Sequence, residues 1–161
     1  MSWGRMGRTV PTSAVVIPGV TGAYSAYSAL GSAFEVPYAV GNQGSLIDNA
    51  ILIDRASGTG GIRIHFFNQV PPAIADKSAF VIPSGQENAY LGWIDVASNA
   101  WVTAGISGGN TAYMAQLTGQ HIALYNNSGG RSVWAQCQAL STTTFGGLNS
   151  AQTLRLITIQ D

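Results

Sequence analysis

Hydrophobic positions in this chain come in short runs, and glycine, proline or asparagine cuts most of them before they reach helical length. The run over 45–55 is the clearest, with Leu46-Ile47 and Ile51-Leu52-Ile53 set around Asp48-Asn49. The run over 62–67 alternates. It puts Ile62, Ile64 and Phe66 on one face and Arg63, His65 and Phe67 on the other, the period of a half-buried strand. Ser57-Gly58-Thr59-Gly60-Gly61 between them reads as a turn, so the two runs are expected to form a hairpin. Further strands are predicted over 14–20, 33–40, 79–82, 90–96, 101–106, 121–125 and 132–140. Pro37 argues for an edge position. Leu154, Leu156, Ile157 and Ile159 mark a last strand. The stretch 68–78, with Pro71-Pro72, reads as a loop holding one helical turn over 73–77, and Asn126-Asn127-Ser128-Gly129-Gly130 is a strong turn signal. Val133, Trp134, Cys137 and Leu140 fit both periods, and the flanking turns favour a strand; 111–117 stays open between strand and short helix. Eight or more short strands at this spacing predict an all-β single domain over 14–161, a two-sheet sandwich or jelly roll. An extended N-terminal arm over 1–13 precedes it.

Charge changes the picture. Charged residues make up 9% of the 161, against about 25% in ordinary globular chains. Seven basic and seven acidic side chains cancel, and Lys77 is the one lysine. Near-zero net charge promotes association, so the chain reads as a subunit covered by neighbours, a homotrimer or higher closed assembly. Seven scattered cations make no nucleic-acid footprint. No apolar stretch approaches the roughly 20 residues of a membrane span, and no apolar region follows the basic start, so no export signal is expected. Cys137 is the single cysteine and has no intrachain disulfide partner. The arm carries Trp3, Arg5, Met6 and Arg8 between glycines. Trp and Arg are enriched among interface hot spots, so these four are expected to bind a partner subunit, and the arm to order against it rather than against its own fold.

Candidate chemistry adds little. Gly105-Ile106-Ser107-Gly108-Gly109 matches the G-x-S-x-G elbow, but no acid lies between Ser107 and His121, so the triad does not follow. His65 and His121 belong to no metal-ligand spacing. The carboxylates are Glu35, Asp48, Asp54, Asp76, Glu87, Asp95 and Asp161. Asp54, beside Arg55 in the expected hairpin with Arg63, reads as a cross-strand ion-pair partner or turn cap. Gly58-Thr59-Gly60-Gly61 lacks the lysine of a phosphate loop. Trp3, Trp93, Trp101 and Trp134 fit a sugar site or a packed core and interface equally well. Asn126-Asn127-Ser128 has the form of a glycosylation sequon and reads as a turn. The expectation is therefore no catalytic, cofactor or metal site.

From Ser45 onward the segment order resembles small tailed-phage virion proteins of the capsid-decoration, or cement, type. The resemblance runs through Ser45-Leu46-Ile47 to Ile53-Asp54, then Gly61 to Asn68. Pro72, Asp76, Phe80 and the strand over 90–96 follow, and it closes with 133–140, Thr144-Phe145 and Leu154-Arg155-Leu156 to Gln160-Asp161. It covers about two-thirds of the chain and contains no diagnostic motif; residues 1–30 and 98–120 lie outside it. It implies a non-enzymatic bacteriophage structural protein. Such a protein is assembled in the host cytoplasm and seated on the virion as a trimer that clamps capsomers, with the major capsid protein or other virion subunits as partners. Two rivals predict different geometry. A carbohydrate- or receptor-binding module of a phage fibre requires aromatics gathered with Asn or Gln in one exposed pocket. A hydrolase requires an acid and a base converging in a cleft.

Overall fold

The computed structural model describes residues 7–18, 20–41, 44–55, 60–105, 111–126, 128–145 and 152–160. Among them the chain forms twelve strands. These are β1 (Arg8–Pro11), β2 (Val15–Val16), β3 (Gly22–Tyr24), β4 (Ala29–Val36), β5 (Ser45–Asp54), β6 (Ile62–Phe67), β7 (Tyr90–Val96), β8 (Val102–Gly105), β9 (Thr111–Leu124), β10 (Val133–Ala139), β11 (Thr143–Phe145) and β12 (Gln152–Gln160). The helical content described is two single 3-10 turns, Glu87–Ala89 and Ser98–Ala100.

The strands make one six-stranded sheet, ordered β1-β12-β5-β9-β8 with β2 also on β12, and one four-stranded sheet, ordered β4-β10-β6-β7. A short β3-β11 ribbon stands apart. All pairings are antiparallel. Eight strands pair in a nested way: β1 with β12, β4 with β10, β5 with β9, β6 with β7. One apolar cluster joins the inner faces of both large sheets. Ile47, Leu52, Leu154 and Leu156 come from one side, and Leu30, Ile64, Phe66, Ile94 and Cys137 from the other. The all-β sandwich expected from the pattern is the observed architecture.

Pattern and structure diverge where the chain departs from strict alternation. β5 and β6 do not form a hairpin: they lie in opposite sheets, and Gly60-Gly61 leads into β6. That entry is held by Trp101 Nε1 donating to the Gly60 carbonyl at 3.1 Å and by Leu140 N donating to Gly61 O at 2.9 Å. Both runs bury one face in the same core, and placing them on opposite walls satisfies this as well as a hairpin would. The segment 79–82 forms no strand; Ala79 makes an isolated bridge to Ser28. The helical turn over 73–77 is a plain turn at Asp76-Lys77, and 111–117 is strand, part of β9. β4 is an edge strand, as Pro37 suggests, and Pro37 lies just beyond its end.

The expected arm also changes. Arg8–Pro11 is an edge strand of the chain's own six-stranded sheet, paired with β12 from Arg8↔Gln160 to Pro11↔Ile157. Thr12 continues the attachment: its N–H donates to Leu156 O at 2.8 Å and its Oγ1 accepts from Leu156 N at 3.0 Å. An edge strand supplies unpaired backbone groups that a neighbouring segment can satisfy, and here residues 8–11 of the same chain do so. Of the four partner-binding candidates, Arg8 is exposed on β1, and Trp3, Arg5 and Met6 lie outside the described residues.

Candidate functional site

The outward face of the four-stranded sheet carries the densest set of interacting polar and aromatic side chains. β6 presents Arg63, His65 and Phe67 there, as its alternation predicts. Both His65 and Phe67 are nevertheless buried: Phe80, from the segment 68–89, covers His65, and Phe67 packs against Tyr90. That segment is pinned by Asp76, whose Oδ1 accepts from Gly31 N at 2.7 Å and whose Oδ2 accepts from Tyr24 Oη at 3.3 Å. Gly31 is required there: its φ is +64°, and a Cβ would run into the Pro18 carbonyl. Burial pushes the Tyr24 phenol up to about 12. Beyond the turn, Ala29 N donates to Ser78 O and Phe80 N to Tyr27 O, so Phe80 is delivered onto the sheet.

Phe80 lies flat on His65, ring centroids 4.1 Å apart at 14°. The imidazole is held at both nitrogens. Nε2 faces Gln138 Oε1 at 3.2 Å, and Nδ1 faces Tyr90 Oη at 3.0 Å. Gln138 Nε2 donates to Tyr27 O at 3.3 Å, so its Oε1 is the atom turned to the histidine. Nε2 therefore carries the proton, and Nδ1 accepts from the tyrosine hydroxyl. Burial lowers the His65 pKa to about 4, and the ring is neutral at pH 7. Burial also raises Tyr90, to about 12.

On β7, Tyr90 and Trp93 are three residues apart, and strict alternation would send them to opposite faces. The register slips between Phe66 and Phe67, which pair with Gly92 and Tyr90. Gly92 at φ +129° absorbs the bulge. Tyr90 thereby lies near-parallel to Trp93, at 6.4 Å and 12°. Sequence reasoning missed this pairing; the signal was an isolated glycine inside a strand pattern. Next to Trp93, Arg63 grips Asp95 through Nε to Oδ1 at 2.6 Å and Nη2 to Oδ2 at 2.7 Å. The guanidinium carbon is 5.1 Å from the indole centroid. The hydrogen bonds to Asp95 hold the Arg63 pKa above its usual value. Arg63 thus pairs across β6–β7 with Asp95, not with Asp54.

The remaining candidates are dispersed. Asp54 is buried at the end of β5 and accepts from Gln152 Nε2 at 3.1 Å. Glu87 accepts from Gly85 N, Asp48 from Asn49 Nδ2, and Glu35 stands exposed opposite Trp134. His121 is exposed at a kink of β9, where residues 119–121 bulge opposite Asp48 and both Gly119 and His121 have positive φ. Ser107 and Asp161 lie outside the described residues. Among the described residues no three His, Cys, Asp or Glu side chains gather as a metal site. Asn126 caps its turn, accepting from Ser128 N at 2.9 Å and donating to Ser132 O at 2.7 Å. A polar cleft of about 310 Å³ opens beside it, between Val40-Gly41 and Tyr125, Gly130 and Arg131.

The outward face of the six-stranded sheet is different in kind. Val16, Thr153, Ile53, Met114 and Val102 are successive register partners across β2, β12, β5, β9 and β8. Val102 is 68% exposed, and Val16 and Met114 are also open. A second row, Thr9, Ile159, Leu46 and Ala123, crosses the opposite end. Between them run Arg155, Ile51 and Gln116, then Ile157, Asn49 and Thr118. Arg155 is the one charged residue in these four rows. A shallow cleft of about 250 Å³ lies against Ala100, Val102, Met114 and Gln116.

Comparison of the chain with protein-family models, with curated proteins and with solved structures found no match in any of the three.

Proposed function

We propose that this chain is a non-enzymatic structural subunit of a virion, of the capsid-decoration type, which associates as a homotrimer and clamps neighbouring shell subunits. The observation that carries the reading is the mostly apolar row Val16–Thr153–Ile53–Met114–Val102, interrupted by Thr153, on the outward side of the six-stranded sheet. A sheet face meant for solvent alternates apolar-in with polar-out; this one keeps aliphatic side chains outside. Interfaces need more than about 1,000 Å² in total, with few charges at their centre, and a face with Arg155 as the charge among four rows suits that demand. The nested strand order supports reading the sandwich as a jelly roll, two Greek keys closed on each other. The segment resemblance from Ser45 onward points to the same class of protein. The major capsid protein or another shell subunit is the partner this reading names.

Met114→Glu and Val102→Glu place carboxylates at the β9–β8 end of the row without touching the core. The expected result is an unchanged far-ultraviolet circular dichroism spectrum, with loss of the oligomer in light scattering at tens of micromolar, on the order of a weak association constant, and loss of attachment to the particle. A wild-type protein that is monomeric at that concentration and binds no shell, with both variants behaving identically to it, would overturn the proposal.

A further inference from the structure

We propose that the outward face of the four-stranded sheet, on the other side of the sandwich from the aliphatic row, is a binding site for a neutral carbohydrate, centred on Trp93 and the Arg63–Asp95 pair. Trp93 is 50% exposed and Tyr27 63% exposed, and among the described residues the stacked ring pairs His65–Phe80 and Tyr90–Trp93 lie on this face. A single exposed aromatic needs no explanation; here the rings stand in an ordered set. Tyr90 lies near-parallel to Trp93, His65 fixes the Tyr90 hydroxyl, and Phe80 backs His65. Tyr27 has φ +62°, a conformation that is costly for an aromatic residue. Its phenol lies close enough to Arg63 to act on it electrostatically.

The chemistry selects the ligand. Arg63 and Asp95 neutralise each other, so the patch offers no net charge to a phosphate, an acidic peptide or a nucleic acid. Each partner remains partly exposed, 30% and 42% at the side chain, and each keeps hydrogen-bonding capacity beyond the mutual fork. The Arg63 guanidinium lies over the indole, 5.1 Å from its centroid, and the half of Trp93 left exposed, next to this paired donor and acceptor, matches a pyranose, which turns a C–H face to one side and vicinal hydroxyls to the other. The proposal is independent of the docking role of the opposite sheet.

The test uses the full chain labelled with 15N and titrated with neutral oligosaccharides (cello-, malto-, galacto- and chito-series) to about 10 mM, the range of weak affinities. At least one series is expected to shift the Trp93 indole N–H and the Arg63 Nε–H resonances. Trp93→Ala should weaken binding about tenfold or more. Asp95→Asn, which leaves the fork partly intact, should weaken it less, and Met114→Glu should leave it unchanged. No shift at Trp93 with any series, or equal binding by Trp93→Ala, overturns the proposal. So does loss of Trp93 exposure on self-association, measured by fluorescence quenching, since the face would then be an interface between copies.

Discussion

His65 and Cys137 are the two side chains whose titration the fold changes most plainly. His65 is 5% exposed and held neutral between Gln138 and Tyr90. Its folded pKa of about 4 lies below the ordinary 6.5. The unfolded chain therefore takes up the proton first as pH falls. The stability that the neutral ring supports is complete above about pH 6.5 and is lost progressively down to about pH 4, by roughly 3 kcal/mol at most for a shift of this size. His65→Gln should flatten the dependence of Tm on pH across that window. An identical slope in wild type and variant would count against the assignment. Cys137 is fully buried between the sheets, and burial pushes its thiol up. The thiolate is the reactive form, so the native protein should resist a thiol-specific chromogenic reagent and react once denaturant unfolds it. Stoichiometric labelling before unfolding would show that the core opens locally.

At the scale of elements, β1 shows the difference between an arm and a strand. Gly4, Gly7 and Pro11 suggest a segment with no core of its own; β12 offers an edge, and residues 8–11 complete it. Deleting residues 2–11 should remove those ladder bonds and cost about 2 kcal/mol, lowering Tm by roughly 4–8 °C. A Tm unchanged by that deletion would mean that β1 adds nothing to the folded state. The strands whose bounds were legible, such as β6 and β7, are those that keep period 2 along most of their length. Where a bulge breaks the period, pattern reading fails. It fails at Leu91-Gly92, which brings Tyr90 and Trp93 to one side, and at 119–121, which lets β9 run on past an apparent loop. The segment 79–82 has strand composition but makes one bridge, because it lies across the sheet as a cover.

As a whole molecule, the sandwich sorts its chemistry onto two outward faces. Apolar rows with little charge lie on one, and a neutral aromatic and ion-paired cluster lies on the other. Fourteen charged side chains in 161 residues leave both with weak electrostatic definition. Contacts on either are therefore expected to depend little on salt, because screening acts on exposed charges. An exposed, mostly apolar row is expected to lower the solubility of a free chain, which accords with the subunit role proposed above.

The amino-acid sequence by itself determined the all-β class, the position of most strands and the inward face of β6. Turn chemistry and period 2 are local properties, and each residue carries them wherever its strand is placed. Tertiary structure alone decided the partners: β5 with β9 and β12 instead of β6, Arg63 with Asp95 instead of Asp54, and residues 8–11 with β12 instead of a neighbour. Pairing depends on how two sheets close around one core, and many pairings bury the same alternating residues equally well. The aromatic cluster around Trp93 depended further on a one-residue slip in register, which turned Tyr90 from the core to the outer face and completed a surface that the linear pattern divides between two sides.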